Sequence, residues 1–371
     1  MQKLQGRLIK NDMHNNQLTE KLIRGSDPLA KIFFDVFKFK YYSMALFFVV
    51  TGLLYGYLIP ILFKVPPVSD LVSIINIVLV FPVAGYYYNY QPKSILRVYQ
   101  SITRFFKEEN EASIPFEKIR NWHAKPIWWL VGMLIGLISA GFGVLGVING
   151  TNYVWQGINL VQVILVYGTR FLAMSMIGII VMRHIATSIA LYSVFQHTIF
   201  PLTLNTDKIE VFNNTKRFSL EIIGVAAVIA LNLGVQPLVI DVPILEYSFY
   251  VALYFIFTPL SFFLPLLQVH RRMVVIKNNM LDKLHKDYQE EAEKLHDSLA
   301  KDQKKDLSSS YLKQTESMAS IKQAVEIIEK SPDWPFEGTI FYRLIITILS
   351  PFFLVIFEIF INIISNILTG S

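Results

Sequence analysis

The chain has 371 residues, of which 53% are hydrophobic and 14% aromatic, and its mean hydropathy is +0.44. This composition is too apolar for an ordinary soluble domain and assigns the chain to a membrane, while the absence of Cys excludes disulfides, thiolate zinc sites and cysteine nucleophiles. Because the net charge of +6 is interleaved with membrane-length apolar runs, we expect the bilayer and its anionic inner-leaflet lipids as partners, and no nucleic acid.

The distribution of basic residues predicts the topology. Lys and Arg number 34, and 31 of them lie in residues 1–40, 91–126, 183–217 and 271–337. Since basic loops stay on the cytoplasmic side, the alternation predicts an all-α polytopic membrane protein with its N-terminus in the cytoplasm and its C-terminus outside. About 20 apolar residues cross a bilayer, and seven stretches reach that length: 41–63, 69–90, 127–149, 158–182, 218–240, 246–270 and 338–368.

One amphipathic piece precedes the first span, and another follows the second span. Residues 29–40, at the end of a cytoplasmic N-terminal segment 1–40, combine four Phe with three Lys, and residues 94–107 combine aliphatic and aromatic side chains with Arg and Lys. Such a composition suits the headgroup region of a bilayer. We expect both pieces to lie on the inner leaflet, the second as an interfacial helix within the six-helix membrane region 41–270.

The fourth span is longer than the bilayer requires. From Asn159 to Phe200 there is no Pro and there are only two Gly, so one helix of about 60 Å is expected, at about 1.5 Å per residue. Arg183 and His184 would lie at the inner interface, and the rest would extend into the cytoplasm. The alternative is a re-entrant or an eighth hydrophobic segment at 185–200.

The spacing of apolar residues in 271–337 predicts a cytoplasmic helical hairpin. An apolar stripe with a spacing of three and four residues continues from the sixth span, stops at the turn 302–310, and resumes to Ile328. The two arms form a hairpin or pack between subunits, and the alternative is a solvated charged linker. Pro332, Trp334 and Pro335 then separate the hairpin from the last span, either as a gate hinge or simply as a helix start with an interfacial aromatic residue.

Two ionisable residues lie deep in predicted spans. Arg170 lies in the fourth span and Glu358 in the seventh, at similar depths from the outer end. One interpretation is a buried ion pair between them, because a charge in the bilayer is costly unless it is paired or wet.

The other interpretation starts from the helix that carries Glu358. At 100° per residue, its polar residues share one sector, which should face a helix interface or water rather than lipid. If several copies surround an axis, Glu358 forms a ring of carboxylates that selects cations. The candidate pore-lining residues of the terminal helix, 338–371, are Thr347, Ser350, Glu358, Asn362, Ser365 and Asn366.

Other polar and aromatic residues in the spans are weaker candidates. We expect Asn76, Glu221, Asn232 and Gln236 to make one packing hydrogen bond each with a neighbouring helix. A pocket for a small molecule could use Trp128, Trp129, Tyr153 and Trp155, although anchoring at the interface also explains these residues.

We expect no enzyme, because the motifs G-x-x-x-x-G-K-[ST], H-E-x-x-H and G-x-S-x-G do not occur. No cofactor is indicated. Asp282 with His285 and Glu293 with His296 have a metal-like spacing on the hairpin, but a helix this rich in charge produces such pairs by chance, so no metal site is predicted.

The predicted layout resembles that of the insect odorant and gustatory receptor channels: seven spans, an extended fourth helix, cytoplasmic helices before the seventh, and a polar seventh helix. The resemblance implies a homo-oligomer, a tetramer in that family, whose seventh helix lines a cation pore. H-R-R-M at 270–273 with S-P-D-W-P-F at 331–336 also resembles uncharacterised prokaryotic membrane proteins, which implies a prokaryotic inner or plasma membrane.

The leading hypothesis is therefore an oligomeric cation channel, gated through the hairpin or by a small-molecule ligand between spans. The alternatives are a transporter or ligand sensor that uses the Arg170/Glu358 pair, and a membrane scaffold without transport.

Overall fold

The computed structural model describes residues 24–103, 121–123, 125–150, 154–197, 210–239, 244–301, 307–331, 333–334 and five single positions between 342 and 353. The described residues form helices and contain no strand, which confirms the all-helical class. Six of the helices are long and apolar enough to cross a membrane. The seventh predicted span, 338–368, lies almost wholly outside the described residues, so the count of seven and the sides on which the termini lie stay predictions.

Three elements at the start of the chain contain π-helical turns. The short α1 joins Pro28–Ala30 to a π-helical Lys31–Val36. Helix α2 comprises Tyr41–Leu53, a π-helical Leu54–Leu58 and Ile59–Leu62. Helix α3 comprises Leu71–Ile75, a π-helical Asn76–Val80 and Phe81–Thr103, and Asp70 caps its start by accepting a hydrogen bond from the Ser73 amide at 2.7 Å.

Five further helices complete the described fold. They are α4 (Ile127–Ile148), α5 (Leu160–His197), α6 (Glu210–Val239), α7 (Ile244–Lys301) and α8 (Leu307–Glu329). Helix α5 is unbroken from Leu160 to His197, so residues 185–197 continue the fourth span and are not a separate segment. Helix α7 continues through Pro259 and Pro265, and α8 packs back along its second half.

Small residues bring α4 and α5 into close contact. A Cβ atom at Gly136 would lie 2.6 Å from the carbonyl oxygen of Phe171, and one at Gly178 would lie 2.7 Å from the Cα of Gly132. Membrane helices are surrounded by apolar lipid tails, so the hydrophobic effect does not favour their association. They are held together by van der Waals packing, which small residues strengthen by letting the backbones approach closely. This contact places Ser139 of α4 beside α5.

The outer surface of the bundle is apolar, as a lipid-facing surface requires. Large hydrophobic side chains are exposed on α2, α4 and the first turns of α5, including Leu46, Leu134, Leu137, Val161 and Ile164.

The end of the bundle that contains Arg183, here called the Arg183 end, extends beyond the membrane-length part. Apolar residues of α3 are buried there against α5, α6 and α7, in a core that includes Leu191, Phe212 and Met273; the buried α3 residues are Ile95, Leu96, Val98, Tyr99 and Ile102. The expectation that 94–107 lies flat on the bilayer is therefore wrong for 94–103. Its apolar face packs on the extensions of neighbouring helices instead, which the sequence alone does not show. Residues 104–107 lie outside the described part of the chain.

Candidate functional site

The membrane helices line a partly open cavity of about 260 Å³. It is lined by residues from α2 to α7 and from the turn that contains Trp155. The π-helical stretches of α2 and α3 contribute to its wall, with Tyr55 from α2 and Asn76 from α3. Single π-turns in longer helices are frequent at functional sites, because the extra residue changes which side chains face inward. Along α7 the lining runs from Glu246 to Ser261, about 22 Å at about 1.5 Å per residue.

A charged cluster lies at one end of the cavity, here called the Arg170 end. The Arg170 guanidinium donates to the Glu246 carboxylate, to the Tyr250 hydroxyl at 2.6 Å and to the Ser139 hydroxyl at 3.0 Å. Ser139 and Tyr250 also share a hydrogen bond of 2.6 Å. Arg170 and Glu246 are thus joined within one network that links α4, α5 and α7, and their charges balance each other.

Three amides form a second polar feature in the cavity wall. The Asn232 amide donates to the side-chain oxygen of Asn76 at 3.1 Å, and the Gln236 amide donates to the side-chain oxygen of Asn232, also at 3.1 Å. We call these three residues the amide chain. From the sequence, each of these residues was expected to make one separate packing hydrogen bond. The structure instead joins all three in one chain between α3 and α6.

Aromatic residues close the cavity near the turn between α4 and α5. The rings of Tyr55 and Trp155 stack with centroids 6.3 Å apart and planes at 4°. Gln162 holds this arrangement by donating to the carbonyl oxygens of both Tyr55 and Trp155, the second at 2.9 Å. Of the four residues considered for a small-molecule pocket, Trp155 lines the cavity, whereas the indoles of Trp128 and Trp129 donate to Trp122 and Ser26. Tyr153 lies outside the described residues.

At the Arg183 end, a second arginine of α5 is buried beneath the N-terminal segment. Arg183 donates to the Asp27 carboxylate at 2.5 Å, and the Tyr88 hydroxyl donates to the same oxygen at 2.5 Å. The other carboxylate oxygen of Asp27 accepts hydrogen bonds from the Leu29 and Ala30 amides, so it caps α1. This network fixes the described part of the N-terminal segment to α3 and α5.

Glu221 of α6 is the centre of another network at that end. Its carboxylate accepts hydrogen bonds from Arg97 and Arg217, each at 3.3 Å, and from Tyr90 and Ser94. The expected role of Glu221 as a packing residue with one hydrogen bond thus underestimates its contacts.

The linker that follows α8 is attached to α7. The Lys277 ammonium donates to the carbonyl oxygens of Glu329 and Ser331 and to the Asp333 carboxylate, at 2.8, 3.1 and 2.9 Å. The His270 ring stacks on Trp334 with centroids 4.1 Å apart. His270 of the segment 270–273 is therefore in contact with Asp333 and Trp334 of the segment 331–336.

Most of the predicted pore and hinge residues lie outside the described residues. Trp334 is described, but Pro332 and Pro335 are not, and the gate hinge stays a prediction. Arg170 has Glu246 as a partner, which the sequence analysis did not single out, and its predicted pairing with Glu358 is untested. Outside the described residues lie Thr347, Ser350, Glu358, Asn362, Ser365 and Asn366.

The described residues contain no group of three His, Asp or Glu side chains that could hold a metal ion. No family model, no curated protein and no solved structure matches the chain. Function must therefore be argued from the cavity and its chemistry.

Proposed function

We propose that this chain is a membrane receptor that binds a small, largely apolar molecule in the cavity that helices α2 to α7 line. The observation that supports this is the cavity itself: a partly open space with mostly apolar walls and a few convergent polar groups, Arg170, Tyr250 and Gln236 among them. Small-molecule sites combine apolar walls with a few placed polar groups in this way.

Two neighbouring alanines provide a matched test. Ala226 lines the cavity and is buried, whereas Ala227 is exposed on the outside of α6. Ala226→Phe fills the cavity and Ala227→Phe adds the same ring outside it. We expect some of a panel of small uncharged apolar molecules to raise the melting temperature of the purified wild-type protein and Ala227→Phe saturably, but not that of Ala226→Phe. The proposal fails if no molecule gives a saturable shift, or if both Phe variants respond like the wild type.

We further propose that ligand binding controls the passage of cations along the last segment of an oligomer. Helix α7 supports this coupling, because it carries cavity residues such as Glu246 and Tyr250 and also His270 and Lys277, which hold the linker to that segment. Pro259 and Pro265 lie between the two sets and provide points where α7 can bend. The charge of Arg170 is already balanced by Glu246, so Arg170 does not require Glu358 as its counter-ion.

This second proposal is tested by subunit count and by current. Mass photometry of the purified protein should give a mass of several subunits, and a monomer would exclude a pore on a shared axis. In planar bilayers, Glu358→Gln should weaken the preference for cations over anions without changing ligand binding. An unchanged preference would reject the carboxylate ring.

A further inference from the structure

The amide chain ends in an acceptor that has no partner. Each link uses one donor and one acceptor, and Oε1 of Gln236 remains buried without a hydrogen bond from any described residue. A buried acceptor without a partner is costly, and native proteins rarely leave one. Because Gln236 also lines the cavity, a ligand is well placed to supply the missing donor.

The charged cluster at the same end of the cavity does not require a partner from a ligand. Arg170 is bound to Glu246, Tyr250 and Ser139, so the cavity presents a balanced ion pair rather than a net charge. An ionic ligand would lose its hydration without gaining a counter-charge. The site therefore favours an uncharged molecule.

The rest of the cavity wall indicates the polarity and the length of the ligand. Beyond the Arg170 end, the lining from α6 and α7 is mainly apolar, with Val225, Ala226, Ile229, Leu253 and Phe257. The length of about 22 Å along α7 suits an extended chain or a small set of fused rings better than a compact polar solute.

We propose that the ligand is an uncharged, largely apolar molecule with one hydroxyl or N–H group, which donates a hydrogen bond to Gln236 Oε1. This inference rests on the proposed receptor function and specifies the ligand class of the same cavity. Since no described residue donates to Oε1, only a molecule with a donor group supplies the hydrogen bond that this acceptor lacks.

The test uses two isomers, n-octanol and heptyl methyl ether, which have the same atoms but only one of which has a donor. Affinities are measured by thermal shift, with each probe's partition into detergent micelles subtracted. In the wild type we expect the alcohol to bind about tenfold more tightly than the ether, the factor that one hydrogen bond of typical net strength supplies. Gln236→Met keeps the size of the side chain and should reduce this ratio to near one, with the ether affinity unchanged.

Two further variants make the outcome decisive. Gln289→Met places the same substitution on the exposed hairpin part of α7 and should keep the wild-type ratio. The double variant Asn232→Leu with Gln236→Met addresses the case in which Asn232 Oδ1, released from Gln236, becomes the acceptor. The inference is overturned if the wild type does not prefer the alcohol, or if both the single and the double variant keep the preference.

Failure of the receptor proposal gives a different result. In that case neither isomer shifts the melting temperature saturably, and Ala226→Phe responds like the wild type. If both isomers bind equally and Ala226→Phe blocks them, the receptor proposal stands and the hydrogen-bond inference fails.

Discussion

Helix α5 carries two paired arginines in contrasting surroundings. Arg183 and Asp27 are 4% and 2% exposed and lie in a network that the N-terminal segment covers. Arg170 and Glu246 are 23% and 15% exposed and line the cavity. The two arginines are about 20 Å apart along the helix, at about 1.5 Å per residue.

The difference indicates two roles for the same kind of ion pair. The Arg183–Asp27 pair, here called the dry pair, joins the N-terminal segment, α3 and α5. It has no access to a ligand, so its contribution is structural. The pair at the cavity is within reach of solvent and of whatever enters, so a change there should affect binding more than folding. Substitutions that remove one charge from each pair can separate these roles.

The largest effect is expected for Asp27→Asn, which keeps the size of the side chain and leaves Arg183 charged and buried. Removing one partner of a buried pair costs about 3–5 kcal/mol, and we expect a loss of that size in the free energy of unfolding. The measurement is titration with sodium dodecyl sulfate in mixed micelles, followed by circular dichroism.

Two controls accompany this variant. Asp35→Asn removes an exposed carboxylate from the same N-terminal segment and should have little effect. Adding Arg183→Met to Asp27→Asn removes the uncompensated charge and should recover part of the loss. If Asp27→Asn is no more harmful than Asp35→Asn, the structural role of the dry pair is wrong.

A smaller loss is expected for Glu246→Gln. Arg170 keeps its bonds to Ser139 and Tyr250 and borders the cavity, so the loss should be about 1–3 kcal/mol, the cost of one broken bond to a charged group. The same titration measures it. A loss equal to that of Asp27→Asn would mean that the two pairs are energetically alike and would remove the distinction drawn above.

The sequence predicts the membrane helices well, because hydrophobicity and length are local properties. All six spans between Tyr41 and His270 correspond to helices of the structure, and the long α5 follows from the absence of Pro. What local patterns miss is which faces meet. Residues 94–102 have the composition of a surface helix, but their apolar side chains are buried, because the partners that cover them come from three other helices.

The candidate site could be predicted only in part. Arg170 stands out because a charge within a span is rare, but Glu246 lies at the first turn of its span, where a carboxylate is usually solvated. Asn232 and Gln236 are four residues apart on one face of α6 and bond to each other, a spacing that could have drawn attention to them. Their contact with Asn76 depends on the rotation of α3 against α6, which the sequence does not specify.

The smallest effect is expected for Asp333→Asn in the linker. Asp333 is 49% exposed and its pair with Lys277 is near the surface, where such pairs contribute about 0.2–1 kcal/mol. Lys277 also keeps its two carbonyl acceptors. A loss as large as that of Glu246→Gln would show that the linker contributes more to stability than an exposed pair can explain.

The central claim, that the cavity is a ligand site, is tested most directly by photolabelling with an octanol that carries a diazirine. The account predicts adducts on cavity residues such as Tyr250 and Tyr254, which Ala226→Phe abolishes and Ala227→Phe leaves intact. Adducts confined to exposed residues such as Leu231 and Ile256, or cavity adducts that Ala226→Phe does not reduce, would contradict it.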